Sequence, residues 1–311
     1  MSKTAIALHG GAGTILRKYM TPEKEQQYLS GLEEALTLGD DLLKKGAAAL
    51  DAAEATVRCL ENNPLFNAGK GAVYAGDGTH LLDASIMRGD TLEAGAVAGV
   101  RGVKNPISLA RRVMEASAYV MMIGEGAEEF GRKEGLEQAP PEYFHDDLRF
   151  QQWQRIKDSD QTILDHADKG ERNFSTVGAV CLDREGNLAG ATSTGGMTNK
   201  RYGRVGDSPI IGAGTYANNA TCAVCCTGHG EPFIRAVVAH RISCLMEYKG
   251  MDLQAACDEV IHRVLKELKG EGGVIAVDPQ GHTSLTFNTA GMYRAAREGV
   301  GAPVFSIYGP S

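Results

Sequence analysis

An α+β fold, with antiparallel sheet covered by helices, is the architecture this sequence predicts, and three observations predict it. The second half runs strands, then helices, then strands, the order expected when helices back an antiparallel sheet. Two similar strand-and-turn units, near 176–194 and 274–281, bracket that run. In the first half, amphipathic helical spacings are interleaved with short runs of small and β-branched residues. With 311 residues, 43% of them apolar, the chain can bury a large core in one domain or two smaller ones.

The elements follow in chain order. Thr4 to Leu8 is a short apolar and β-branched strand that ends in the glycine-rich turn His9-Gly10-Gly11-Ala12-Gly13. Thr21-Pro22-Glu23 opens a helix, with threonine as N-cap, proline in the first turn and acids near the positive end. Leu29, Leu32, Leu36 and Leu43 keep helical spacing until Gly46 stops it. Ala47 to Leu60 is an alanine-rich second helix, closed by Asn62-Asn63-Pro64. Leu81 to Met87 and Ala94 to Val100 read as extended. Asn105-Pro106 starts a helix through Glu115, and Glu125 to Lys133 forms another.

Lys157 to Phe174 departs from this pattern: only Ile163, Leu164, Ala167 and Phe174 are apolar, too few to bury a folded segment. It reads as a mobile linker. A strand of small and β-branched residues, Thr176 to Asp183, follows abruptly, and the turn Arg184-Glu185-Gly186-Asn187 leads into Leu188 to Thr194. Val274 to Asp278 with Pro279-Gln280-Gly281 repeats that arrangement. Helices near Glu231 to Glu247 and Asp252 to Leu268 lie between the two units.

Composition narrows the function. Glycine supplies 39 of 311 residues, about an eighth, against a usual share of roughly 7%. Its concentration in HGGAG, STGG and TGHG points to tight turns and backbone-lined sites. The formal charge of −7 leaves no basic excess for nucleic acid. No apolar run approaches the roughly 20 residues of a membrane span, and the N-terminus reads as strand and turn rather than signal peptide. Seven scattered cysteines, an odd number, point to a reducing, cytoplasmic compartment.

Three segments could carry chemistry. HGGAG could cradle a phosphate, as in an amino-acid kinase, but it lacks the P-loop lysine and the dinucleotide-fingerprint spacing. Cys222, Cys225, Cys226 and His229 could stabilise a binding module through zinc. On a strand over Asn219 to Thr227, however, Cys222 faces with Cys226 and away from Cys225, which favours core packing. The third is a set of hydroxyls: Thr176, Thr192-Ser193-Thr194-Gly195-Gly196, and Thr227-Gly228-His229-Gly230. Thr176 stands where the linker gives way to regular strand. Cleavage of the Ser175–Thr176 bond would give Thr176 a free α-amine, which titrates near about 7.7–8.0 and can serve as base for its own hydroxyl. Nucleophile and base would then share one residue.

These residues resemble the plant-type asparaginase and isoaspartyl peptidase family of N-terminal nucleophile (Ntn) hydrolases. The likeness covers nearly the whole chain: HGGAG (9–13), NPLFNAGKGAVY (63–74), DASIM (83–87), AGAVAGV (94–100), TVGAV (176–180), ATSTGGMTNK (191–200), GRVGDSP (203–209), GAGTYANN (212–219) and TGHGE (227–231). The resemblance implies a four-layer αββα sandwich with two central, mostly antiparallel sheets. It implies self-cleavage into an α chain (1–175) and a β chain (176–311), and a dimer of αβ heterodimers. Thr176 matches the nucleophile, Thr194 the second hydroxyl beside it, and Thr227 with Gly228 the oxyanion-stabilising pair. Arg204 and Asp207 match the groups that hold the substrate's α-carboxylate and α-ammonium, with Gly230 beside them.

The implied substrates are β-aspartyl dipeptides and L-asparagine, cleaved without a catalytic cofactor. Their free α-carboxylate and α-ammonium suit an arginine fork and an aspartate acceptor on one loop. The family's alkali-metal loop corresponds to Leu60, Glu61, Asn63, Phe66, Ala68 and Lys70, whose backbone carbonyls would hold a structural sodium. Two features depart from the family pattern. Ser175 stands where the family places glycine or aspartate, which predicts slow or incomplete self-cleavage, and Lys70 brings a charge to the metal loop. Glycosylasparaginase is the nearest alternative within the superfamily.

Overall fold

The computed structural model describes residues 4–159, 173–174 and 176–309. Most of the linker expected over 157–174, together with Ser175, lies outside the described residues.

Strand β1 (Ala5–Gly13) is longer than expected. HGGAG is its second half and not a turn after it, because the glycines let the strand bulge and run close to its neighbours. The ladder to the C-terminal part of the chain shifts register between His9 and Gly11, with Gly11 at φ 115°. A Cβ on Gly10 would sit 2.3 Å from the Phe66 ring. Residues 9 and 11–13 are paired to a neighbouring strand throughout, so this backbone is not a free phosphate cradle.

Helix α1 (Pro22–Lys44) is capped as expected, Thr21 Oγ1 accepting from Lys24 N at 3.2 Å. Helix α2 (Ala49–Glu61), strands β2 (Leu82–Arg88) and β3 (Ala94–Val100), and helix α3 (Pro106–Ala116) also match their sequence signals. The short β4 (Met121–Ile123), α4 (Gly124–Lys133) and α5 (Asp147–Ile156) complete the first half. Asn173–Phe174, placed in the linker by composition, forms a two-residue β5 opposite Ala12 and Gly13. Strands β6 (Val177–Leu182) and β7 (Leu188–Thr194) form the expected hairpin.

In the second half, β8 (Thr215–Ala217) and β9 (Ala223–Gly228) precede the helices. The single helix expected over Glu231 to Glu247 is two, α6 (Gly230–Ala236) and α7 (Val238–Lys249). Val237, at φ 51°, breaks the run, a left-handed turn that no glycine or proline announces. The next segment is α8 (Leu253–Asp258), a π-turn over Glu259–Val264, and α9 (Leu265–Glu267). Strands β10 (Gly272–Val277), β11 (Thr283–Phe287), β12 (Gly291–Glu298) and β13 (Val304–Tyr308) end the chain.

Two sheets result. The larger runs β13-β12-β1-β6-β7-β2-β3-β4, with β5 beside β1, and the smaller runs β11-β10-β9-β8. Among the described residues, every pairing between these strands is antiparallel except β3 with β4. One apolar cluster joins α1–α3 to the larger sheet through Leu32, Leu43, Val57, Leu60, Ile86, Val97 and Ile107. A second lies between the sheets: Ala7, Val180 and Leu182 meet Cys225, Ile275 and Val277. The third packs Cys222, Val224, Cys226 and Val274 against α6–α9.

A buried ion pair lies beneath the β7 turn. Lys200 Nζ is 3.3 Å from Asp83 Oδ2, with both side chains 1% exposed. Lys200 also donates to Leu81 O at 2.8 Å, and Asp83 Oδ1 accepts from Gly99 N at 2.8 Å. Removing one partner strands the other charge in the interior, a loss of about 3–5 kcal/mol. Lys200→Met is therefore expected to lower the urea midpoint strongly, and Asp83→Asn added to it should recover part of the loss.

Candidate active site

Thr176 heads β6 and is 6% exposed. The hairpin register, with Val177 opposite Ser193, sets it across from Thr194 at the end of β7. Its Oγ1 donates to Thr194 Oγ1 at 3.2 Å, and the same Thr194 oxygen accepts from Gly196 N at 2.9 Å. The Gly196 bond fixes Thr194 Oγ1 at the turn, where it meets the Thr176 hydroxyl. Asn67 closes this turn, donating from Nδ2 to Gly196 O at 2.7 Å while its own O accepts from Gly195 N at 3.0 Å.

Strand β1 supplies the other contacts. His9 Nδ1 lies 2.8 Å from Thr176 O. A carbonyl only accepts, so Nδ1 carries the proton and the ring is the neutral tautomer. Burial pushes the His9 pKa down to about 3, keeping it neutral at working pH. Its Nε2 has no partner among the described residues and faces Gly178, where a Cβ would come within 2.5 Å. His9 thus holds the main chain at Thr176, a role the sequence hid within a glycine-rich motif.

Thr227, fully buried near the end of β9, belongs to the other sheet. Its Oγ1 accepts from Ala12 N at 3.3 Å. A hydroxyl that accepts a main-chain N–H keeps its own proton to donate. Gly228 follows, and a Cβ there would lie 2.5 Å from Glu271 O and 2.6 Å from the Phe233 ring, so only glycine fits. The glycine-rich half of β1 therefore connects with Thr176 through His9 and with Thr227 through Ala12, joining the two sheets at the site.

Arg204 and Asp207 lie on the loop between β7 and β8. Hydroxyls anchor that loop: Ser85 Oγ donates to Ser208 O at 2.6 Å, and Thr215 Oγ1 donates to Thr192 Oγ1 at 2.6 Å. Asp207 is buried and its Oδ2 has no partner among the described residues. Desolvation pushes its pKa up to about 7. Gly230 adjoins both residues, since a Cβ there would meet Asp207 N at 2.9 Å and Arg204 Nη2 at 3.0 Å. The structure thus groups Arg204, Asp207 and Gly230, and ties Thr176 to Thr194 directly. Sequence reading missed two further groups, His9 and Glu231; the latter binds Arg204 through both carboxylate oxygens.

The cysteines do not converge on a metal. Cys225 Sγ donates to Ala191 O at 3.3 Å and Ala179 O at 3.4 Å, whereas Cys226 Sγ, on the opposite face, donates to Ala213 O at 3.2 Å. Burial pushes the Cys225 thiol up to about 12 and also raises Cys222 and Cys226, which disfavours the thiolate that zinc needs. His229 Nε2 is instead 3.0 Å from Glu231.

The loop after α2 is tightly folded around its own carbonyls. A Cβ on Gly71 would lie 2.1 Å from Phe66 O, and one on Gly69 would lie 2.5 Å from Glu61 O, so carbonyls crowd a fold that only glycine can line. Lys70 directs its ammonium to the Tyr143 ring, 5.6 Å from the centroid. A separate cavity of about 420 Å³, lined by Tyr74, His80, Arg101, Phe144 and His145 among others, shares no residue with the threonine cluster.

Comparison with known proteins gives the same identification over the full length. The asparaginase family model matches residues 2–307. The isoaspartyl peptidase of Escherichia coli is 51% identical over 311 residues, spanning 99% of this chain and 97% of that protein. The plant-type L-asparaginase of Pyrococcus abyssi is 44% identical, spanning 96% of this chain and 98% of its own length. A probable isoaspartyl peptidase/L-asparaginase of Arabidopsis thaliana is 41% identical, spanning 94% of this chain and 95% of its own. With a family model that covers nearly every residue, and relatives matched over nearly their whole length, the chain belongs to the asparaginase family.

Proposed function

We propose that the chain is a self-processing threonine hydrolase that cleaves β-aspartyl dipeptides and the side-chain amide of L-asparagine. The observation that carries this is the buried Thr176 hydroxyl, bonded to Thr194 and standing at the head of β6, where cleavage of the preceding bond would make Thr176 an N-terminus. In the uncleaved chain the Thr176 nitrogen is an amide and cannot act as a base. Attack of Oγ1 on the Ser175 carbonyl moves the acyl group from nitrogen to oxygen, and water then hydrolyses that ester. This releases the α chain, 1–175, and leaves a free amine on the β chain, 176–311. Ser175 slows this step.

In the mature site the Thr176 amine takes the hydroxyl proton as Oγ1 attacks the substrate's β-carbonyl. The developing oxyanion accepts hydrogen bonds from Thr227 Oγ1–H and Gly228 N–H. The leaving amine departs protonated, as ammonia or an amino acid, and an aspartyl ester remains on Thr176. Water, deprotonated by the same amine, hydrolyses the ester and releases aspartate. Arg204 grips the α-carboxylate and Asp207 accepts from the α-ammonium beside Gly230.

The wider organisation follows from the same reading. The two sheets and three apolar clusters support a four-layer αββα sandwich, and two αβ units pair as a dimer of heterodimers. Seven cysteines, all unpaired, support a cytoplasmic setting. The carbonyls of Leu60, Glu61, Asn63, Phe66, Ala68 and Lys70 would hold a sodium ion, which supplies rigidity to the loop behind Asn67 and takes no part in the chemistry. Hydrolysis of β-aspartyl-leucine, with none of a glycosylated asparagine, tests this reading against glycosylasparaginase.

Asp207 gives the reaction a pH signature. With its pKa pushed up to about 7, the free site is increasingly protonated below that pH. A neutral carboxyl binds the substrate ammonium poorly, whereas bound ammonium draws the proton off. KM is therefore expected to rise as pH falls through 7, by about tenfold per unit at the limit. Because the bound complex has already lost that proton, kcat should not carry this limb. Initial-rate profiles between pH 5 and 9 with L-asparagine check it, and a flat KM would refute the role given to Asp207.

A further inference from the structure

Glu231 has no part in the chemistry above, yet it holds Arg204 in a defined pose. A guanidinium offers two bidentate edges, Nε with Nη2 and Nη1 with Nη2. Glu231 occupies the first: Arg204 Nε donates to Oε1 at 2.9 Å and Nη2 to Oε2 at 2.9 Å. The carboxylate is itself fixed from the far side, since His229 Nε2 lies 3.0 Å from Oε2. It also stands in the first turn of α6, which limits its own movement. The hydrogen bonds from His229 and Arg204 hold the Glu231 carboxyl well below its ordinary range, so it stays charged throughout the working pH.

Two glycines border the remaining edge. A Cβ on Gly206 would lie 3.0 Å from Nη1, and one on Gly230 would lie 3.0 Å from Nη2. Because Glu231 takes the side edge, a second carboxylate can reach the end edge without displacing it.

We propose that Glu231 is a positioning residue: by gripping the Nε/Nη2 edge of Arg204 it presents the Nη1/Nη2 edge to the substrate, and so sets the requirement for a free α-carboxylate. This rests on the reading of Arg204 as the carboxylate-binding group. Without the clamp the long arginine side chain samples several rotamers, and the pair of parallel bonds to the substrate forms less often.

The test uses the full, processed chain with two β-aspartyl dipeptides that differ only in whether the aspartyl α-carboxyl is free or a carboxamide. The unmodified protein is expected to prefer the free acid in kcat/KM. Glu231→Gln has one acceptor oxygen in place of two. It is expected to raise KM for the acid roughly tenfold, to keep kcat within about twofold, and to shrink the acid-over-amide preference by the same factor. Glu231→Asp keeps both oxygens and should recover part of that preference, which a merely structural role would not reproduce. Thermal melting, and chain splitting to the same extent as the unmodified protein, establish that both variants fold. A Gln variant with the full acid preference would overturn the role of Glu231 and leave that of Arg204 standing. An unmodified chain with no such preference would overturn the reading of Arg204, and the inference with it.

Discussion

Thr176→Ala is expected to leave the chain in one piece and without hydrolytic activity. The substitution removes the oxygen that attacks in both reactions, while leaving the fold's other contacts at that residue in place. His9 bonds the Thr176 carbonyl, which alanine retains, and Thr194 still accepts from Gly196. Stability should therefore change little. Hydrolysis of L-asparagine and β-aspartyl dipeptides should fall by on the order of 10⁴ or more, as when a covalent nucleophile is deleted. Intact-mass spectrometry followed over time checks the first part: a single species near 33.1 kDa throughout for the variant, against two fragments that accumulate in the parent, the smaller beginning Thr-Val-Gly. Thr176→Ser keeps a hydroxyl and should split, showing that the oxygen and not the methyl group is required. An alanine variant that still divides and still hydrolyses would end the threonine mechanism.

Thr227→Val is expected to have the second-largest effect, and it separates transition-state stabilisation from binding. Valine matches threonine in shape but has no proton to give an oxyanion. Loss of one such donor costs about 2.7–4 kcal/mol, or a factor of about 10²–10³ in kcat. KM should move little, because the ground-state carbonyl demands less of the donor than the oxyanion does. The same change leaves Ala12 N without its buried acceptor, for a stability loss of about 1–3 kcal/mol. Steady-state kinetics alongside urea unfolding distinguish the two effects. Thr227→Ser, which keeps both the donor and the acceptor, should restore most of each.

Much of the chain could be read in one dimension. Helix α1 declared itself through Thr21 and Pro22, and β6 and β7 through their small and β-branched residues around a Gly-Asn turn. Such signals are local: a cap, a period or a turn is satisfied by residues a few positions apart. HGGAG was harder, because a glycine that permits a turn and a glycine that lets a strand bulge against Phe66 look identical in sequence. Val237 was harder still, a β-branched residue held left-handed by the packing of two helices. Strand β12 carries no clear alternation, yet it pairs along nearly all of β1.

What the amino-acid order determined by itself was the proposed reagent set: a threonine at the head of a strand, other hydroxyls followed by glycine, and an arginine and an aspartate on one loop. Side-chain chemistry needs no neighbour to be recognised. Only the folded chain decided how those reagents are held. His9 and Thr176 are 167 positions apart and meet because β1 and β6 are neighbours in the larger sheet, whereas Ala12 and Thr227 are 215 apart and meet because β9 of the smaller sheet packs against β1. The pose of Arg204 and the raised pKa of Asp207 have the same origin. Burial and hydrogen bonding depend on which surfaces exclude water together, and that is fixed by contacts between segments remote in sequence.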